Sequence, residues 1–197
     1  MIANIITKGI GGVSVDFNGQ KILPAAHNLR DLEQMVNSNL TYIVLLNSHI
    51  GQLKSLVQLA KGKGKKLLLH ADLVQGLRND EYAAQFLCQD IKPTGLISTR
   101  KNVVLTAKKH GLISVQRLFL LDSIALESSY KLLETTKPDF IEVLPGVMPH
   151  IINEVYKKTG IPIVAGGLIR EKREINEAIE AGAIACTTSR KELWKDF

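Results

Sequence analysis

Two short stretches near the C-terminus have the residue types that hold an anion. Ala165-Gly166-Gly167-Leu168 and Thr187-Thr188-Ser189 each follow a brief apolar run and each precede a helical pattern. Paired glycines carry no Cβ, so the backbone can turn tightly and bring its N–H groups up to a charged oxygen. Ser189 with Glu192 three residues on has the spacing of a capping box, which predicts a helix start whose free N–H groups and positive dipole end face the same anion. These features make the two loops a place where a phosphate would bind.

A second set could do proton chemistry. His70 and Asp72 have the spacing of a general base and its partner, and Glu142 could be a further acid or base. With a phosphate grip beside them they would suit an isomerase or lyase acting on a small phosphorylated sugar. The same side chains could equally bond one another, or ligand hydroxyls, with no reaction. Glu142 stands between Ile141 and Val143, so it points away from them across the strand. Enclosed in a core it would need a counter-charge such as Arg117, or hydroxyl donors, because a lone buried carboxylate is costly. No predicted strand ends in lysine, which weighs against Schiff-base chemistry. Neither a metal nor a cofactor is required, since no His, Cys, Asp or Glu cluster has ligand spacing and Cys88 and Cys186 stand apart.

Such residues must be positioned by a scaffold, and the chain has the length for one. Its 197 residues, 45% hydrophobic and 22% charged, suffice for a single domain with its own core and exclude a disordered chain. The net charge of +6 favours an anionic partner, a phosphorylated ligand or a nucleic acid, although solvated helix faces explain it as well. No apolar run approaches a membrane span and the opening residues lack a secretory pattern, so a cytoplasmic, reducing location is expected.

Residues 1–19 include Gly9, Gly11, Gly12 and Gly19 and show no sustained period, so they read as a leader outside the core or as a strand that covers the barrel floor. Residues 20–197 read as one barrel domain. Strands are predicted at 21–25, 42–46, 66–70, 96–97, 113–116, 140–143, 163–165 and 183–187. Each precedes an amphipathic pattern, as in Leu53, Leu56, Val57 and Ala60. Alternating strands and helices with near-continuous apolar strands call for a parallel sheet, and eight units call for a closed α/β barrel of the TIM type. An open doubly wound sheet with fewer strands is the alternative. In the barrel one rim gathers Asn47, His49, His70, Asp72, Thr99, Arg100, Gln116, Arg117 and Glu142. It also places the two anion-holding loops after strands 7 and 8, the usual phosphate position of that fold.

Several stretches in order resemble the glycerol-3-phosphate-responsive antiterminator family. They include Gln20-Lys21-Ile22-Leu23-Pro24-Ala25, His49-Ile50-Gly51-Gln52-Leu53-Lys54 and Leu68-Leu69-His70-Ala71-Asp72-Leu73-Val74-Gln75-Gly76-Leu77. Ile97-Ser98-Thr99-Arg100, Gln116-Arg117-Leu118-Phe119-Leu120-Leu121-Asp122-Ser123, Ile141-Glu142-Val143-Leu144-Pro145-Gly146 and Ala165-Gly166-Gly167-Leu168-Ile169 continue the likeness to about residue 194. The resemblance implies a regulator rather than an enzyme, one that binds the leader mRNA of a glycerol-uptake operon when glycerol-3-phosphate is present. The ligand's phosphate would then go to Gly166, Gly167, Thr188 and Ser189. His70, Asp72, Arg117 and Glu142 become candidates for its hydroxyls through their place on the rim. The stretch from Asp72 to Asp80 is the candidate moving part, and a homo-oligomer stays open. Aromatics are only 5%, so the RNA contact would run through phosphates and shape more than base stacking. Lys61, Lys63, Lys65 and Lys66, with Lys108, Lys109, Lys157 and Lys158, could serve it, or could simply complement helix dipoles.

Overall fold

The computed structural model describes residues 17–195. Eight parallel strands close into a barrel: β1 (Ile22–Ala26), β2 (Tyr42–Leu45), β3 (Lys66–His70), β4 (Gly95–Ser98), β5 (Ile113–Phe119), β6 (Phe140–Leu144), β7 (Ile163–Gly166) and β8 (Ala183–Thr188). Each pairs with its neighbours in sequence, and β8 returns to β1 through Ile22 opposite Cys186 and Pro24 opposite Thr188. That last pairing leaves no sheet edge and rules out the open-sheet alternative. Every predicted strand is present; β5 extends three residues beyond its expected end because Arg117, Leu118 and Phe119 pair with Glu142, Val143 and Leu144.

Strand residues alternate between two cores. Leu23, Ala25, Val44, Leu68, Ile97, Val115, Val164 and Ala185 fill the barrel, while Ile43, Leu67, Leu69, Ile141, Val143 and Ile163 pack outward under helices. Both strand faces are covered, hence the unbroken apolar runs in the sequence. The outer helices are α1 (Leu29–Val36), α2 (Ile50–Gly62), α3 (Glu81–Phe86, with a π turn to Ile91), α4 (Lys101–Lys109), α5 (Ser123–Thr136), α6 (Pro149–Thr159) and α7 (Lys172–Glu180). Short polar side chains start three of them: Asn28 accepts from the Asp31 N–H at 2.9 Å, Asp80 from Ala83 at 2.9 Å and Asp122 from Ala125 at 2.7 Å.

Three expectations change. Phe17, from the stretch read as a leader or a floor-covering strand, lies in a 3₁₀ turn, is 1% exposed and closes the barrel floor, stacked on Phe140 at 4.5 Å and edge-on to Tyr42 at 5.0 Å. The domain therefore includes Phe17; the remainder of the leader, residues 1–16, lies outside the described residues. The stretch after β3, expected as the moving part, begins with regular structure: Ala71–Leu73 forms a 3₁₀ turn and Val74–Gln75 pairs with Ser48–His49 as a small parallel ribbon. After β8, the expected capping box at Ser189 does not form. Instead the Arg190 N–H donates to Thr188 Oγ1 at 3.2 Å, Glu192 pairs with Arg190 at 3.6 Å, and only a 3₁₀ turn follows at Lys191–Lys195. Glu192 is drawn to the nearer cation, so it does not reach back to the backbone.

Candidate ligand site at the barrel mouth

The loops after β7 and β8 do converge. They line a cavity of about 310 Å³ at the C-terminal end of the barrel, with Gly167, Leu168, Ile169 and Arg170 on one side and Thr187, Thr188, Ser189 and Arg190 on the other. Ala25, His27, Leu46, Arg117 and Leu144 complete the wall. Gly167 and Leu168 are both left-handed, at φ 75 and φ 62. Glycine takes that conformation freely, whereas for leucine it costs about 1–2 kcal/mol, a strain of the kind that clusters at binding loops. Among the described residues, the backbone N–H groups of Gly167, Leu168 and Ser189 donate to no backbone or side-chain acceptor. Unpaired N–H groups with two arginines alongside form a setting for a phosphate-sized anion.

The four predicted phosphate residues play different parts. Gly167, Thr188 and Ser189 line the cavity, whereas Gly166 lies beneath it. A Cβ on Gly166 would stand 2.5 Å from Thr187 Oγ1 and 2.8 Å from Glu142 Oε1, so this glycine makes room for the polar cluster below the cavity. Thr188 is also structural: its hydroxyl meets the Ile169 carbonyl and the Arg190 N–H, and its carbonyl accepts from Trp194 Nε1 at 3.0 Å.

That cluster is built on Glu142, which is 1% exposed and points into the barrel as its position between Ile141 and Val143 requires. Arg117 Nε donates to Oε2 at 2.6 Å and Thr187 Oγ1 donates to Oε1 at 2.7 Å. Both carboxylate oxygens thus have donors, which makes the buried charge tolerable. Arg117 comes from the extra strand residues at the end of β5 and also lines the cavity, so the pair links the floor of the site to the strand wall.

His70 and Asp72, which could have been a base and its partner or two groups for ligand hydroxyls, are not hydrogen-bonded to one another. Asp72 is turned toward the end of β4, accepting from Ser98 Oγ, from the Thr99 N–H at 2.7 Å and from Thr99 Oγ1 at 2.8 Å. It fixes the rim and is not available as a partner of the histidine. His70 is 3% exposed, and neither ring nitrogen has a hydrogen-bond partner among the described residues. Burial, helped by the Arg117 guanidinium, brings its pKa down to about 4 against the opposing pull of Asp72 and Glu142. It is a neutral imidazole at pH 7 beside the Arg117–Glu142 pair. Burial likewise pushes the Cys88 thiol up to about 11 and Cys186 up to about 12, so neither is a nucleophile at neutral pH.

Sequence reasoning missed His27, Arg170 and Arg190 as wall residues. The two arginines had a legible signal, each standing just past an anion-holding loop, in Gly167-Leu168-Ile169-Arg170 and in Thr188-Ser189-Arg190. His27 had none: it follows β1 and reaches the site only because β1 closes against β8. No helix among the described residues is long and apolar enough to cross a membrane.

Known proteins match this chain along almost all of it. A crystal structure of a glycerol uptake operon antiterminator regulatory protein from Listeria monocytogenes strain 4b F2365 is 49% identical, with a TM-score of 0.89 over 90% of this chain and 96% of that one. That of a glycerol uptake operon antiterminator-related protein from Thermotoga maritima MSB8 is 30% identical, with a TM-score of 0.77 over 89% and 98%. The uncharacterized protein YgcP of Escherichia coli strain K12 is 32% identical across 88% of this chain and 91% of its own. The model of the family described as glycerol-3-phosphate responsive antiterminator matches residues 22–194, from the first strand of the barrel to the turn that follows the last, and the chain belongs to that family.

Proposed function

We propose that this protein is a transcription antiterminator that takes glycerol-3-phosphate at the barrel mouth and, so loaded, binds the leader mRNA of a glycerol-uptake operon. Membership of the family over residues 22–194 is the observation that carries the reading. The cavity between the β7 and β8 loops is the matching physical feature. The phosphate meets the N–H groups of Gly167, Leu168 and Ser189, the Ser189 hydroxyl and the side chains of Arg170 and Arg190. Thr188 shapes that loop, and Gly166 admits Glu142 behind it. The glycerol end turns inward, toward Arg117, Glu142 and the unpartnered nitrogens of His70. Asp72 holds the neighbouring rim through Ser98 and Thr99 without touching ligand.

Such a regulator needs its ligand to prefer the RNA-competent state, and a coupling of about 1–3 kcal/mol is enough. Gel shift of the operon leader transcript tests the reading. A shift that appears with glycerol-3-phosphate and not with glycerol is expected; an equal, weak shift in all lanes would overturn it. Gly167→Asp puts a carboxylate into the phosphate position, and Ser189→Asp does so without a left-handed backbone. Both are expected to abolish the ligand response, and an unaltered response in Ser189→Asp would refute the phosphate assignment.

A further inference from the structure

The end of the barrel opposite the cavity, where each helix runs out and the next strand begins, carries cations that the fold does not neutralise. Lys61 and Lys63 at the end of α2, Lys92 after α3, Lys109 ending α4, Lys137 after α5 and Lys157 near the end of α6 are all exposed on this floor. None of the six makes an ion pair among the described residues. At the mouth Arg117 pairs with Glu142, Lys191 with Asp31 and Arg190 with Glu192, while Arg30, Arg78, Arg100, Lys101 and Arg170 are exposed there with no ion pair among the described residues, and near the floor Lys158 pairs with Glu127. The floor's acidic side chains are few, and of Asp90, Glu134, Asp139 and Glu180 the third is already engaged, accepting from the Ser114 N–H at 2.8 Å and Oγ at 2.7 Å.

Helix dipoles alone do not account for this set. Lys92 and Lys137 stand beyond the last helical turn in left-handed conformations, at φ 56 and φ 39. Gly111 and Gly160 hold the equivalent place after α4 and α6, at φ 72 and φ 66. A glycine would sit there without strain, so two units keep a strained lysine where others use glycine. Each precedes a proline, in Ile91-Lys92-Pro93 and Thr136-Lys137-Pro138, which fixes the chain as it turns toward the next strand and holds the lysine on the floor.

Resting on the antiterminator reading above, we propose that this basic floor is the surface that docks the RNA, by phosphate contact, and that ligand and RNA therefore occupy opposite ends of the barrel. Spread over the α2, α3, α4, α5 and α6 ends, the lysines suit a folded RNA backbone more than a single phosphate. The low aromatic content, 5%, agrees with contact that does not stack bases.

The test compares two variants in the presence of saturating glycerol-3-phosphate. One removes floor charge through Lys63→Ala, Lys92→Gly, Lys137→Gly and Lys157→Ala; its two glycines relieve left-handed strain, so the fold is not put at risk. The other removes equal charge elsewhere through Arg30→Ala, Arg78→Ala, Lys101→Ala and Arg173→Ala. Binding of fluorescently labelled leader transcript is followed by anisotropy across a salt series. The floor variant is expected to bind about 100-fold more weakly at 0.15 M salt, with the slope of log K against log salt reduced by about 2 to 3, as for loss of about four phosphate contacts at roughly 0.7 each. The control is expected to stay within about threefold of the unaltered protein, and both variants are expected to keep their thermal response to glycerol-3-phosphate. Unchanged binding by the floor variant would overturn the proposal while leaving the antiterminator reading in place. Failure of the unaltered protein to bind the transcript at all would overturn both.

Discussion

His70 is held as a neutral base in a place where it could be charged only at acid pH. Its pKa is depressed from an ordinary 6.5 to about 4 by burial first and Arg117 second. Between those values the unfolded chain takes up a proton that the native chain refuses, so native stability falls as pH drops from about 6.5 toward 4 and is regained as pH rises. In His70→Gln that contribution disappears. Urea unfolding at pH 7.5 and pH 5 is expected to show the gap between the two proteins moving by about 2 kcal/mol in favour of the variant at the lower pH. A gap independent of pH would show that His70 is not the depressed group. The neighbouring Arg117–Glu142 pair obeys a different rule, since each charge is made tolerable by the other and by Thr187. The need for a counter-charge was legible in the sequence, because a carboxylate between Ile141 and Val143 must enter the core. The partners of Asp72 were not legible: spacing allowed His70 or a ligand hydroxyl, and only the fold shows that the end of β4 brings the hydroxyls of Ser98 and Thr99 to it.

Among the elements, the barrel floor depends on a residue that periodicity cannot reveal. Phe17 sits in a three-residue 3₁₀ turn before β1 and contributes a single aromatic ring to the interior. One side chain makes no period, so the glycine-containing stretch around it reads as a leader. Its ring fills the lower barrel against Tyr42 and Phe140. Phe17→Ala is expected to cost about 3–5 kcal/mol, measured by denaturant unfolding; a loss under about 1 kcal/mol would place the ring outside the core. The ribbon of Ser48–His49 with Val74–Gln75 was invisible for a related reason. Two-residue strands carry no alternation to detect, and their pairing arises only because β2 and β3 deliver both loops to the same rim.

For the whole molecule, the proposed division of labour puts ligand at one end of the barrel and RNA at the other, with the strands and the helices packed on them running between the two ends. A ligand that binds the native state stabilises all of it at once. Glycerol-3-phosphate at about 100 times its Kd is expected to add about 2.7 kcal/mol, which for a domain of this size raises Tm by roughly 5–10 °C. Differential scanning calorimetry with glycerol and inorganic phosphate as comparators checks this, and equal shifts from inorganic phosphate alone would reduce the site to an anion hole. The amino-acid sequence by itself determined a parallel α/β architecture: apolar runs with helical patterns between them call for strands covered on both faces, a closed barrel or an open doubly wound sheet, and the pairing of β8 with β1 decided for the barrel. The sequence also determined that the β7 and β8 loops share a rim and that Glu142 points inward, since strand count and alternation are properties of sequence order. Tertiary structure alone decided which of the rim residues touch. Only the closed barrel shows that Gly166 clears space for Glu142, that Arg117 and Thr187 are its donors, that His70 is left without a partner, and that the α2, α3, α4, α5 and α6 ends bring their lysines to one face. Those relations depend on distances between segments far apart in the chain, and they are set by packing and barrel closure, which no local pattern encodes.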